Sequence, residues 1–295
     1  MDRHLRLTAI PGRICVLFVL AALSVPFIPR PADGQLLRTE HGSLVVAVRW
    51  RLGIVVCADR RRLVEGDGKI RYRDDVLKIV PAAPFGLAVT YGAMVYGREG
   101  GPRFDAQGSV KRYAAELAGG NVVRGAERLA TQLQAEMNEV LEHENLPLPQ
   151  PRPNDPGVFA IMLFALERGT LFEALLLGVS SETDFKVQVI PRSSNQFITL
   201  LGHTAVALAI RGSDPRFEDL RTDPLLGRML IDPRREVLAA YLSKHDAMEF
   251  GRRLIRVTNE RLPLLQGVDD VGAESDCAGL TLPDGFEWLP VVPSS

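Results

Sequence analysis

The hydrophobic pattern of this chain changes period in a fixed order, and that order is its strongest constraint on fold. Residues 44–50 and 54–59 are short, apolar and β-branched, and Arg51-Leu52-Gly53 between them makes a β-hairpin the simplest reading. A further strand pair is expected at 76–80 and 86–90, with Pro81 and Pro84 punctuating the turn. The period then lengthens to that of a helix over 109–117 and 122–144, where Leu129, Leu133, Met137 and the Val140/Leu141 pair share one stripe. Glu136, Glu139, Glu142 and Glu144 fall off that stripe, on the wet side. A proline-rich connector, 147–156, leads to four more strands at 158–166, 171–178, 185–190 and 197–201. These runs are continuous rather than alternating, as in strands buried on both faces. A second helical block covers 234–261, broken near Ser243-Lys244-His245-Asp246, where Ser243 or Asp246 can cap a new start. Residues 277–282 and 286–289 close as a hairpin turned by Pro283-Asp284-Gly285.

Strands, two helices, strands, two helices, strands is the pattern of an α+β domain. Two sheets packed face to face, with helices over both outer sides, satisfy it as a four-layer αββα sandwich. No internal repeat and no shift in composition divides the chain, so 43–295 reads as one domain. Hydrophobic residues at 46% and charged residues at 24% are ordinary for a globular protein. Lys and Arg total 35 against 36 Asp and Glu, a net charge of -1. That balance excludes a general nucleic-acid binder, which gathers a basic surplus on one face. Arg60, Arg61 and Arg62 read as a solvated strand end.

The amino terminus carries an address. Arg3, His4, Arg6 and Arg13 precede an apolar run over 14–28, shorter than the ~20 residues that span a bilayer. The run breaks at Pro29-Arg30-Pro31, and Ala32-Asp33-Gly34 supplies the small residues of a cleavage site. Residues 1–34 are therefore expected to be a secretory signal, cut between Gly34 and Gln35. The protein is then exported, periplasmic or secreted; the alternative is anchorage in the membrane by the uncleaved segment. Cys15 lies in the signal, which leaves Cys57 and Cys277 in the mature chain. An oxidising compartment permits a bridge between them, and a buried pair of free thiols is equally compatible with the sequence.

The common catalytic and cofactor motifs are absent. There is no Cys-x-x-Cys, His-Glu-x-x-His, phosphate loop or Gly-x-Ser-x-Gly elbow. His41, His143, His203 and His245 lack metal-ligand spacing, and neither a metal nor a cofactor is expected. What remains is His41-Gly42-Ser43 followed by LVVAVRWRLGIVVCADRR. A serine after glycine at a strand start is commonplace, and an aspartate at a strand end beside arginines usually pairs with them. Lys78 in an apolar strand is less ordinary, since burying its charge without a partner is costly.

Taken in order, these residues resemble the opening of proteasome β subunits, members of the N-terminal-nucleophile (Ntn) hydrolases. In that family a glycine ends the propeptide and a threonine becomes the amino-terminal nucleophile. The resemblance implies that Ser43 is the nucleophile, that Asp59 is the family's acid and Arg61 the arginine after it, and that Lys78 is the catalytic lysine. It further implies oxyanion donors in a turn at Thr90-Tyr91-Gly92, so that Tyr91 and Gly92 join the site. Val271-Gly272-Ala273 and the stretch from Leu280 to Gly285 resemble the family's closing Gly-Gly turn and final hairpin. The likeness runs from Ser43 to about Leu289. Serine stands in place of threonine, which keeps the hydroxyl and loses the methyl that restrains it. Gly202-His203-Thr204 faces the family's supporting serine, and Val271, with Asp269 and Asp270 beside it, stands where another serine is expected.

Two functions follow from the resemblance. One is an exported threonine/serine-type amidohydrolase or peptidase. It matures by self-cleavage at Gly42-Ser43, which removes residues 35–42 as a propeptide and frees an α-amine whose ordinary pKa of ~7.7–8.0 suits a general base. Its partner is a peptide or other amide substrate. The other is an inactive member of the fold that serves as a binding or structural subunit. Homo-oligomers are compatible with both, and an ATP-driven partner is not expected outside the cytoplasm.

Overall fold

The computed structural model describes residues 36–41, 43–66, 69–82, 84–117, 122–152, 155, 157–192, 197–232, 241–282 and 284–290. The segment 1–34 expected to be a signal, Gln35, Gly42 and residues 234–240 of the second helical block lie outside the described residues.

The chain is mixed α/β, and among the described residues every strand pairing in the two sheets is antiparallel. In chain order the strands are β1 (Leu36–His41), β2 (Leu44–Trp50), β3 (Gly53–Asp59), β4 (Arg62–Gly66), β5 (Lys69–Arg73), β6 (Ile79–Ala82), β7 (Gly86–Arg98) and β8 (Arg103–Asp105). They continue with β9 (Phe159–Glu167), β10 (Thr170–Ser180), β11 (Phe185–Arg192), β12 (Ile198–Gly202), β13 (Ser275–Thr281) and β14 (Gly285–Leu289). The nine-stranded sheet runs β11-β10-β9-β7-β1-β4-β5, with β6 and β8 also paired to β7; the five-stranded sheet runs β12-β2-β3-β13-β14.

Two helices, α1 (Ala106–Leu117) and α2 (Val122–His143), precede β9. The stripe of α2 is buried at Leu129, Leu133 and Met137, in one cluster with Val110, Phe104, Phe159 and Phe185 of the larger sheet's side. Burying each such side chain contributes about 1.5–3 kcal/mol, which is what fixes a helix whose other face is wet. Short helices follow β12: α3 (Ala205–Arg211), a 3₁₀ turn (Pro215–Phe217), α4 (Glu218–Arg221) and α5 (Leu226–Leu230). The long α6 (Lys244–Gln266) starts at a capping box, in which the Ser243 hydroxyl accepts from the Asp246 N–H and the Asp246 carboxylate from the Ser243 N–H. Phe250 and Leu254 of α6 pack in one cluster with Val46, Val55 and Cys57 of the smaller sheet. A third cluster joins Val45, Ala47 and Val56 of the smaller sheet to Val89, Tyr91, Ala160 and Met162 of the larger one.

Several local expectations change. The segment ahead of Ser43 is itself a strand: β1 pairs with β7 on one edge and with β4 on the other. Strands β4 and β5 pair with each other, and β5 is exposed throughout. Of the four middle strands, β9 is buried on both faces, whereas β11 is an edge strand that alternates with solvent. Thr90-Tyr91-Gly92 is not a turn. It lies within β7, where Gly92 takes a φ of +85° close to the register shift between β7 and β1. The proline-rich connector crosses the larger sheet, its carbonyls at Pro147, Pro149 and Gln150 accepting from Tyr96, Ser180 and Arg38.

The chain belongs to the larger sheet through His41 and to the smaller one from Leu44, with Ser43 directly ahead of the second. Cys57 and Cys277 are directly opposed on β3 and β13 and form a disulfide.

Candidate active site

The site begins where β3 ends. Asp59 has no exposed surface, and its carboxylate is met on all sides by donors. Oδ1 accepts the Leu44 N–H at 3.0 Å and an N–H of Lys78 Nζ at 3.1 Å. Oδ2 accepts the Gly272 N–H at 2.9 Å and the Arg61 N–H at 3.1 Å. Three of these donors belong to the backbone, so the carboxylate is held by the fold and not by side chains that can swing away.

Lys78 sits just ahead of β6 and is 1% exposed. Its carbonyl accepts the Thr90 N–H from β7, which extends the strand pairing to this residue and fixes its Cα. The Nζ then reaches both Asp59 and the hydroxyl of Ser43, itself wholly buried. Ser43, Lys78 and Asp59 thus form one buried hydrogen-bonded chain from hydroxyl to amine to carboxylate. Burial pushes the Lys78 amine below the ordinary lysine range, and Asp59 opposes that shift. The Asp59 carboxyl is pushed up by the same burial, against Lys78 and the N–H groups of Gly272 and Leu44. An amine with a lowered pKa in contact with a hydroxyl can take its proton, which an ordinary charged lysine cannot.

The other residues singled out by sequence have separate places. Arg61 supports Asp59 through its backbone, while its guanidinium binds Asp74 at 2.8 Å and Asp269 at 2.5 Å. Those carboxylates, Asp74 first, hold the guanidinium above its ordinary range. The Tyr91 phenol donates to Asp155 from the connector, whose carboxyl burial pushes up. Gly92 is opposite His41 of β1.

Sequence reasoning passed over a second polar group beside Ser43. His203 donates its backbone N–H to the Ser43 carbonyl at 2.9 Å, and its Nε2 lies 3.6 Å from Asp270. Asp270 accepts from Arg152 at 3.2 Å and from Tyr72 at 3.3 Å. The sequence signal for this group was Gly202-His203-Thr204 opposite one serine that the resemblance calls for, and Val271, with Asp269 and Asp270 beside it, opposite another. Among the described residues, no group of three or more His, Cys, Asp or Glu side chains is arranged to hold a metal ion. No described helix is long and apolar enough to cross a membrane.

No family model matches the chain, and no curated protein matches it. Among solved structures it is similar to the Anbu (Gly-1) mutant from Hyphomicrobium sp. strain MC1, at 14% identity and a TM-score of 0.46, over 84% of this chain and 85% of that one.

Proposed function

We propose that this protein is a self-processing Ntn amidohydrolase with the four-layer proteasome-subunit fold, and that Ser43 is its nucleophile. The observation that carries this reading is the buried chain of Ser43, Lys78 and Asp59. In the intact polypeptide Ser43 has no α-amine, so Lys78 takes the hydroxyl proton. The Ser43 oxygen attacks the Gly42 carbonyl carbon, an ester forms, and the Gly42–Ser43 C–N bond breaks with the proton passing to the departing nitrogen. Water then hydrolyses the ester, giving a Gly42 carboxylate and a free Ser43 amine. That amine is the base in later turnovers on a peptide or other amide, with Lys78 and Asp59 setting the local field.

The reading includes export. A disulfide between Cys57 and Cys277 supports it, because such bonds persist in oxidising compartments. It also includes action without an ATP-driven partner.

A second reading, a non-catalytic binding protein, is favoured by one observation. Ser43 is fully closed, and β1 is hydrogen-bonded along both edges as an ordinary strand. The two readings separate on the intact mass and amino-terminal sequence of the exported product beside a Ser43→Ala control. A wild-type chain beginning at Ser43, with a control that retains residues 35–42, supports the hydrolase. If both products begin ahead of Ser43, the hydrolase reading fails and the binding reading takes its place.

A further inference from the structure

The carbonyl of Ser43 is gripped from the end of β12. Gly202 turns the chain there at a φ of +94°, and a Cβ at this position would meet the Ser43 oxygen at 2.1 Å and the Tyr91 ring at 2.7 Å. That closeness lets the next residue, His203, direct its backbone N–H onto the same oxygen at 2.9 Å. The direction of a single N–H depends on where its residue is anchored. The His203 side chain is mostly buried, and its Nε2 lies 3.6 Å from an Asp270 oxygen. Asp270 is itself 6% exposed and is braced by Arg152 and Tyr72.

Asp270 belongs to a short loop that serves the other half of the site. Asp269 binds the Arg61 guanidinium, the Val271 carbonyl accepts from Asn259 of α6 at 2.6 Å, and the Gly272 N–H binds Asp59. One loop therefore fixes the carboxylate behind Lys78 and, through His203, the backbone of the residue that Lys78 contacts.

We propose that His203 and Asp270 are a positioning pair for Ser43: Asp270 anchors the imidazole so that the His203 N–H holds the Ser43 carbonyl, and with it the hydroxyl, in line with Lys78. This inference rests on the hydrolase reading. The pair moves no proton. It sets the angle at which the hydroxyl meets the bond it cuts, and small errors in such geometry are expensive: a misplacement of about 1 Å costs on the order of 100-fold in rate.

The test is the rate at which pulse-labelled full-length chain is converted to chain beginning at Ser43. It is followed by intact mass for the wild type, His203→Ala, His203→Gln, Asp270→Ala and the double alanine variant, with a melting curve for each. Both single alanine variants should be slowed about 100-fold. The double variant should be no slower than the singles, because the two side chains act as one unit. His203→Gln, which can still reach Asp270 but cannot serve as an acid or base, should recover most of the rate. A purely structural role would instead make rate and melting temperature fall together, and Gln would rescue neither. Wild-type rates in His203→Ala would overturn the inference and leave the hydrolase reading standing. Wild-type chain that never begins at Ser43 would sink that reading, and this inference with it.

Discussion

Asp59 and Gly272 are 213 residues apart in the chain, yet the Gly272 N–H donates to the Asp59 carboxylate at 2.9 Å. With the Leu44 and Arg61 N–H groups this leaves a buried acid that three separate stretches of backbone must assemble. An Asp59→Asn variant keeps the shape and removes the carboxyl that braces Lys78 and opposes the lowering of its pKa. Breaking such a pair costs roughly 3 kcal/mol or more. Urea unfolding should show that loss, and processing at Ser43 should stop.

The lowered pKa of Lys78 predicts a pH dependence. Self-processing should speed up as pH rises through the folded-state pKa of Lys78, which lies below its ordinary value of 10.5. Lys78→Arg, charged at every accessible pH, should not process at all. The effect on stability has a definite sign. Between the folded and ordinary values the unfolded chain holds a proton that the folded chain lacks, so the Lys78 contribution to stability rises with pH across that window. Asp59 acts in the opposite sense at lower pH: its raised carboxyl binds a proton that the unfolded chain has lost, so its contribution falls as pH rises through that range. Processing rate and urea midpoint, each measured against pH for wild type and Lys78→Met, check both statements.

The disulfide should be a substantial stabiliser that is slow to reduce. Cys57 and Cys277 are 0% and 1% exposed beneath α6. Replacing both with serine should cost about 3 kcal/mol. Reductant should have little effect on folded wild type and should lower its midpoint only when added to the unfolded chain. Rapid reduction of the native protein, followed by thiol labelling and mass, would contradict this.

Gly202 offers a substitution of one methyl group. Alanine there must hold a φ of +94° and push against the Ser43 carbonyl, and each is unfavourable. Gly202→Ala should lose about 2 kcal/mol or more of stability and most of the processing rate. The same substitution at Gly169, also at positive φ but with open space around it, should cost less and leave processing unchanged.

What was legible in the sequence was what has a period or a cap. The hairpin of β2 and β3 and the stripe of α2 read directly, because in them one pattern runs unbroken. The start of α6 was announced by the Ser243/Asp246 pair. Strand β1 was missed because LLRTEH is short and mostly polar, and its place is given by pairing on both edges. The pairing of β4 with β5 was missed because β5, KIRYR, is exposed throughout. Helices α3 to α5 are too short to display a helical period. In the site, Ser43, Asp59 and Lys78 were singled out through resemblance, as residues in a familiar order. The resemblance set Gly202-His203-Thr204 opposite a supporting serine but gave His203 no role, since its contact with Ser43 is made by the backbone, which carries no residue-specific signal.

The bond between Cys57 and Cys277 also closes the chain into a loop, with 220 positions separating its ends. Asp59, Lys78, Tyr91, His203, Asp270 and Gly272 all lie inside this covalent ring, while Ser43 lies outside it. A single nick anywhere in the ring, such as in the proline-rich connector, would therefore leave every one of those partners on one molecule. Ser43, the nucleophile of the proposed reaction, enters from beyond the ring. It is tethered to the ring through β2, which starts at the next residue, and is hydrogen-bonded to Lys78 and to the His203 N–H.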